Sequence, residues 1–270
     1  MKNVTELIRA RRSVRTFDGR MLDAETQQRL MALAQEIENP YGIPVAFRYL
    51  NAVEHGLSVP VVSGCDLYIG GKITTLPHAS VAFGYSFERF VLLAKSLGLG
   101  TVWLGGTMNR AAFEAAMELG EDEIMPCASP VGYTAEKMSL RESMMRKAVK
   151  ADARLPFESL FYRGDFSTPL TASDAGALAL PLEMVRLAPS AVNKQPWRVI
   201  VKGNSVHFYL KRSKGFGHEG KLDMQMIDMG IALCHFDLTA QERGLDPKFW
   251  SEDPNIPNAE GEYIASYVLK

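Results

Sequence analysis

Apolar positions along this chain alternate between two rhythms. After Asp23, Leu30, Leu33 and Ile37 recur at i, i+3 and i+7, which predicts a helix with one buried face, capped by Asp23 and ended by Pro40 and Gly42. SVAFGYSFERFVLLAKSLG (80–98) spaces Phe83, Phe87, Phe90, Ala94 and Leu97 by four and three in turn, which predicts a longer helix, buried along one face and stopped at Gly98. LDMQMIDMGIALCHFDLTAQERG (222–244) predicts a second of this kind, with Ile227, Ile231, Cys234 and Leu238 on one face. Shorter helices are expected at 4–12, with Thr5 as cap, after Asn109 in NRAAFEAAMELG, and over 172–188, where Pro181 kinks or restarts the element. Strand-like runs fall at 45–53, 65–71, 101–106, 123–133 and 262–270. WRVIVKG and SVHFYLKR, split at Gly203-Asn204, predict a hairpin. The polar, basic stretch 136–154 is either a surface helix or a connector.

These elements define an α+β chain whose two parts run in the same order. Each has a helix, a strand, a long helix ending in Gly-Leu, a short aromatic segment and a closing strand. SFERFVLLAKSLGLGTVWL parallels HFDLTAQERGLDPKFW, and EIMPCASPVGY parallels GEYIASYVLK, at an offset of about 140–150 residues, the size of a domain rather than of a solenoid unit. The reading is an internal duplication, with halves at 1–160 and 161–270 packed as an intramolecular pair.

Composition narrows the function classes. Of 270 residues 47% are hydrophobic, and 30 basic residues balance 31 acidic ones to a net charge of −1. That balance gives no field for nucleic acid and no acidic excess for disorder. Signal-peptide and membrane-spanning runs are lacking, so a cytoplasmic protein without membrane contact is expected. Cys65, Cys127 and Cys234 are odd in number and form no CxxC, which reads as buried free thiols rather than a disulfide or zinc framework. His55, His78, His207, His218 and His235 form no metal-binding spacing.

Three segments carry candidate chemistry. RRSVR places Arg11, Arg12, Ser13 and Arg15 within five residues; in an extended chain 11, 13 and 15 share a face, and two guanidiniums with a hydroxyl suit a phosphate. A solvated basic turn would look the same. APSAVNKQPW (188–197) sets Ser190, Asn193 and Gln195 between Pro189 and Pro196. Planar amides can pair with the edge of a heterocycle, although a plain helix-terminating turn also uses such residues. GLGTVWLGG (98–106) ends on Gly105 and Gly106, where missing side chains would let a flat ligand reach the backbone.

Together, RRSVRTF, GLGTVWLGG and APSAVNKQPW resemble the FMN-dependent nitroreductase family over nearly the whole chain, and APSAVNKQPW matches the pattern APSxxNxQPW throughout. VGYTAEK and the later ARLP (153–156) are similar to the family's strand end and basic tail. The resemblance implies the nitroreductase-like fold, with mainly antiparallel sheets flanked by helices. It implies FMN held by Arg11, Ser13 and Arg154 at the phosphate, with Arg12 also among the cofactor-binding residues and Arg15 near the pyrimidine edge. It implies Pro189, Ser190, Ala191 and Asn193 along the ring, with Gln195 in support, and a Gly105 N–H at flavin N5 with Gly106 allowing close approach. Catalysis would rest on Gly105 and Arg15, with hydride passing in ping-pong fashion from NADH or NADPH to a nitroaromatic, quinone or similar small-molecule acceptor. In ordinary members the two motifs lie close in sequence and meet across a dimer. Here they lie in different halves, and ENPYGIPVAF stands where the first half's own turn is due. One FMN per chain and a monomer rather than a homodimer are therefore expected. A flavin-binding protein without turnover, or other reductive chemistry on this fold, would use the same motifs.

Overall fold

The computed structural model describes residues 3–215, 222–257 and 260–270; His218 lies outside them. α1 (Val4–Ala10) is not capped by Thr5. Its first amides go to a distant carboxylate, Glu242, which accepts from Val4 N at 2.5 Å and Thr5 N at 3.0 Å. α2 (Ala24–Gln35) begins at Asp23, whose side chain accepts from Thr26 N at 2.7 Å. After β1 (Ala46–Asn51) the expected strand gives way to one helical turn, α3 (Ala52–His55), because the Asn51 side chain caps Val53 N and Glu54 N. β2 (Leu67–Thr74) leads into α4 (Ala79–Ser96), which ends before Gly98 at φ +78°.

The 101–106 run is not a continuous strand. Regular pairing is confined to β3 (Leu99–Gly100), and beyond it single bridges join Thr101 to Ser13 and Leu104 to Ala128. α5 (Arg110–Met117) has Asn109 at its cap position without a side-chain bond. The expected strand 123–133 breaks into β4 (Glu123–Ile124), β5 (Ala128–Pro130) and β6 (Gly132–Tyr133), since Pro126 and Pro130 have no N–H for a ladder. The polar stretch forms α6 (Leu140–Ala148), capped by Ser139, whose hydroxyl accepts from Glu142 N at 3.1 Å. β7 (Phe161–Arg163), which alternation did not reveal, precedes α7 (Ala179–Leu187). The late start of α7 puts Pro181 in the first turn, where no amide is needed, so the predicted helix restarts rather than kinks. β8 (Trp197–Lys202) and β9 (Ser205–Leu210) form the predicted hairpin, with Gly203 at φ +60°. α8 (Met224–Glu242), β10 (Lys248–Trp250) and β11 (Glu262–Val268) complete the fold.

The result is an α+β arrangement. One sheet runs β1-β2-β4 with β5 also on β2, another runs β10-β11-β9-β8-β7, and β3 pairs with β6. Among the described pairs, β7 with β8 is parallel and the rest are antiparallel. The path β1-β2-β5 in the first sheet has the order of β8-β9-β11 in the second. Between the sheets lie the two long helices, and α4 is buried on more than the predicted face: Ser86 and Glu88 are as fully enclosed as Phe83 and Phe87. α4 and α8 cross at glycines. A methyl on Gly84 would fall 2.1 Å from the Ile227 carbonyl oxygen, and one on Gly230 2.0 Å from that of Val81. The contact is reciprocal, because each oxygen lies three residues before the partner glycine.

Candidate functional site

The crossing of α4 and α8 positions everything around a cavity of about 340 Å³, within the range of ligand pockets. Four of the segments that line it carry the predicted residues. Arg11, Arg12, Ser13 and Arg15 arrive from the stretch after α1, Gly105 and Gly106 from beyond β3, Arg154 from beyond α6, and Pro189, Ser190, Ala191 and Asn193 from the loop before β8. Segments about 175 residues apart in sequence thus line one cavity, as the motif reading requires. Gln195 does not line the cavity. It is buried, and its Oε1 accepts from Leu155 N at 2.9 Å while its N–H donates to Ser190 Oγ at 2.9 Å, so it braces the loop.

RRSVR is extended, as the pattern predicts. Val14 N donates to Thr101 O and Ser63 N to Arg15 O, both at 2.9 Å, and Val14 turns into the core. Arg12 nevertheless joins the cavity wall through a pair with Glu142 at 2.6 Å. Glu142 side chain is fully enclosed and also accepts from Arg15 N at 3.1 Å and Thr16 Oγ1 at 2.8 Å. Burial pushes this carboxyl up, but the donors from Thr16, Arg15 and Arg12 outweigh it and hold it below the usual glutamate value. α6, read from sequence as a surface helix or connector, is therefore what holds the arginine stretch in place.

Charge in the cavity is unbalanced. Arg12 has Glu142, and Arg146 of α6 pairs with Asp152. Arg11 lies with its Nε 3.7 Å from Glu88 Oε1, beyond a hydrogen bond. Arg154 donates to the carbonyls of Ala151 at 2.9 Å, Ala153 at 2.8 Å and Leu187 at 3.2 Å. The Nε atoms of Arg11, Arg15 and Arg154 are all buried without a hydrogen-bond partner. Burial, with nearby arginines adding to it, pulls all three guanidiniums below their ordinary pKa. Buried donors without acceptors are costly, and an anion in the cavity would satisfy them.

The loop before β8 is held in a rare conformation. Val192, Asn193 and Gln195 take φ of +49°, +56° and +50°, a region costly for a β-branched residue. The Asn193 amide does not face the cavity as a free donor: its Nδ2 donates to Lys150 O at 2.7 Å and Ala153 O at 3.0 Å. It ties the loop to the segment carrying Arg154. At the glycine turn, Arg110 donates to Gly105 O at 2.8 Å, and the trans peptide points the Gly106 N–H the other way.

Several groups in or behind the cavity wall escaped the sequence reading. Arg146 and Asp152 lay in the stretch read as a surface helix or a connector. Glu142 had a visible signal, the Ser139-x-x-Glu142 spacing of a capping box, but its side chain serves the arginines instead. Asp228 and Glu88 were legible as charges set on buried helix faces. Glu88 accepts from Trp103 Nε1 at 2.9 Å and lies 3.0 Å from His235 Nε2, joining α4, α8 and the cavity wall. Cys127 lines the cavity, and Cys65, Cys127 and Cys234 are unpaired.

Comparison with known proteins decides the family. A family model described as "Putative TM nitroreductase" matches residues 3–240. The chain belongs to this nitroreductase family. Membership places it among oxidoreductases. A crystal structure of a "putative nitroreductase" from Thermotoga maritima shares the fold at a TM-score of 0.66 and 21% identity, covering 99% of this chain and 94% of that one. A nitroreductase family protein from Clostridium novyi (TM-score 0.44, 15% identity) covers 50% of this chain and 86% of its own. An FMN-dependent nitroreductase from Clostridium difficile (0.42, 14%) covers 52% and 94%. No curated protein matches the chain. No helix among the described residues of this nitroreductase family member is long and apolar enough to cross a membrane.

Proposed function

We propose that the cavity binds FMN and that the chain is an NAD(P)H oxidoreductase of nitroreductase type, passing electrons to a nitroaromatic, quinone or similar electron-poor acceptor. The observation that carries the reading is the trio of buried, partnerless Nε atoms on Arg11, Arg15 and Arg154 around one cavity. Bound FMN supplies a ring that accepts hydride and gives it up, so donor and acceptor use one place in turn. The chain supplies position and field. Arg11, Ser13 and Arg154 hold the phosphate, and Arg12 is kept from closing on it by Glu142. Arg15 places a fixed cation where negative charge develops on reduction. The Gly105–Gly106 turn offers backbone amides without side chains, and Pro189 to Asn193 form the facing wall. Anaerobic addition of NADH or NADPH to the yellow protein should bleach it, and a nitroaromatic should restore the colour. Bound flavin that neither reagent bleaches would leave a flavin-binding protein without turnover.

The same reading gives one FMN per chain, in a monomer built from duplicated halves. Its support is the filling of the related position. The step from Gly84 to Gly230 is 146 residues, and the same step carries His78 to Met224 and Trp103 to Phe249. The cavity lies between Met224 and the segment after α4. At the matching place, between His78 and the segment after α8, the Tyr41 ring stacks on His78 at 5.2 Å and meets Phe249 edge-on at 4.9 Å. Tyr41 belongs to ENPYGIPVAF, which precedes β1 as APSAVNKQPW precedes β8.

A further inference from the structure

Asp228 is a carboxyl in the cavity wall, where α8 passes beneath the Ser190–Asn193 loop. Its lining neighbours on the same helix, Met224, Ile227 and Ile231, are apolar. The residue is 3% exposed. Oδ1 accepts from Ala191 N at 2.9 Å, and Oδ2 is buried without a partner. The cavity's arginines are engaged elsewhere: Arg12 with Glu142, Arg146 with Asp152, Arg154 with main-chain oxygens, and Arg11 beside Glu88, while Arg15 answers to Glu142. On the packed helix α4, Tyr85 bonds Asp237 and Glu88 bonds Trp103 and His235. The charge that does act on Asp228 is another carboxylate, Asp223, itself 2.9 Å from Arg212. An isolated buried carboxylate is among the costliest groups to hold charged, and burial keeps this one well above the ordinary aspartate value despite the Ala191 amide.

We propose that Asp228 stands as a neutral acid whose Oδ2–H donates to a carbonyl or hydroxyl oxygen of the bound cofactor, while Oδ1 keeps the Ala191 amide. This assignment rests on the FMN reading. It makes Asp228 a neutral donor on the α8 side of the cavity, where its lining neighbours are apolar, and it couples the strained loop to the ligand through one carboxyl. Binding then requires the acid form.

Two measurements on the full chain test it. Infrared spectra of ligand-free wild type and Asp228→Asn at neutral pH should differ by the C=O stretch of one protonated carboxyl; no such difference overturns the neutral acid. FMN dissociation constants should then be followed against pH for wild type, Asp228→Asn and Asp228→Leu. Wild-type affinity should fall by about tenfold per pH unit above the ionisation of Asp228. Asp228→Asn, which keeps a donor and cannot ionise, should lack that fall, and Asp228→Leu should bind roughly three- to tenfold more weakly than wild type at every pH below that ionisation. A residue that only braces Ala191 would not produce the pH dependence, and Asp228→Leu binding FMN with wild-type affinity and slope overturns the donor. Failure of the wild type itself to bind FMN overturns the cofactor reading instead, and the donor assignment with it.

Discussion

Arg12 Nη1 lies 2.6 Å from Glu142 Oε1, and the second oxygen of the same carboxylate holds the Arg15 amide. One enclosed side chain on α6 therefore fixes both the cationic stretch and its direction. Glu142→Ala should cost about 2–3 kcal/mol, less than a fully buried pair because Arg12 is one-third exposed. The Glu142 carboxyl sits below its ordinary value. Its stabilising contribution is therefore present above the unfolded value, roughly pH 4.3, and is lost as pH falls through the folded one. Urea melts of wild type and Glu142→Gln should accordingly converge in acid, and a gap that persists there contradicts the role.

Arg11→Ala removes a guanidinium whose Nε has no partner. FMN affinity should drop about ten- to a hundredfold, as for a charge-assisted hydrogen bond worth ~1.5–3 kcal/mol. Riboflavin, which has no phosphate, should bind wild type and variant alike. An equal loss for both ligands in calorimetry would move Arg11 away from the phosphate.

The raised carboxyl of Asp228 makes a stability prediction independent of any ligand. Its unfolded value is about 3.9, so its favourable contribution is complete below that pH and is lost as pH rises through the folded value. Over that range the thermal midpoint of wild type should fall relative to Asp228→Asn. Parallel curves for the two proteins would show an ionised group.

Tyr41→Ala should open a slot between His78 and Phe249 and cost about 2 kcal/mol, less than a fully buried aromatic because the ring is half-buried. Among the described residues no arginine beyond Arg11, Arg15 and Arg154 has a buried Nε without a partner, so the variant should still bind a single FMN by absorbance titration. A second equivalent would mean that Tyr41 alone blocks a competent site.

Much of this was legible in the chain. The long helices, the hairpin at Gly203 and the convergence of RRSVR with APSAVNKQPW follow from spacing and motif. What was not legible depends on contacts made far along the sequence. Glu242 caps α1 in place of Thr5, and no local pattern announces a borrowed cap. Segments 101–106 and 123–133 read as strands because their residues are apolar, yet prolines and the glycine turn break their ladders. Asn193 reads as a ligand-facing amide, but its donors are spent on Lys150 and Ala153 carbonyls. α6 lacks an apolar face of the usual kind because it packs through Glu142 onto the arginine stretch and through Arg146 at the cavity.

The central claim is that two distant segments close one anion-binding flavin cavity. It is tested most directly by releasing and counting the flavin of the purified, FMN-saturated protein after gel filtration. One FMN per chain is predicted. A ratio near two, or a colourless protein that takes up no FMN, would contradict it.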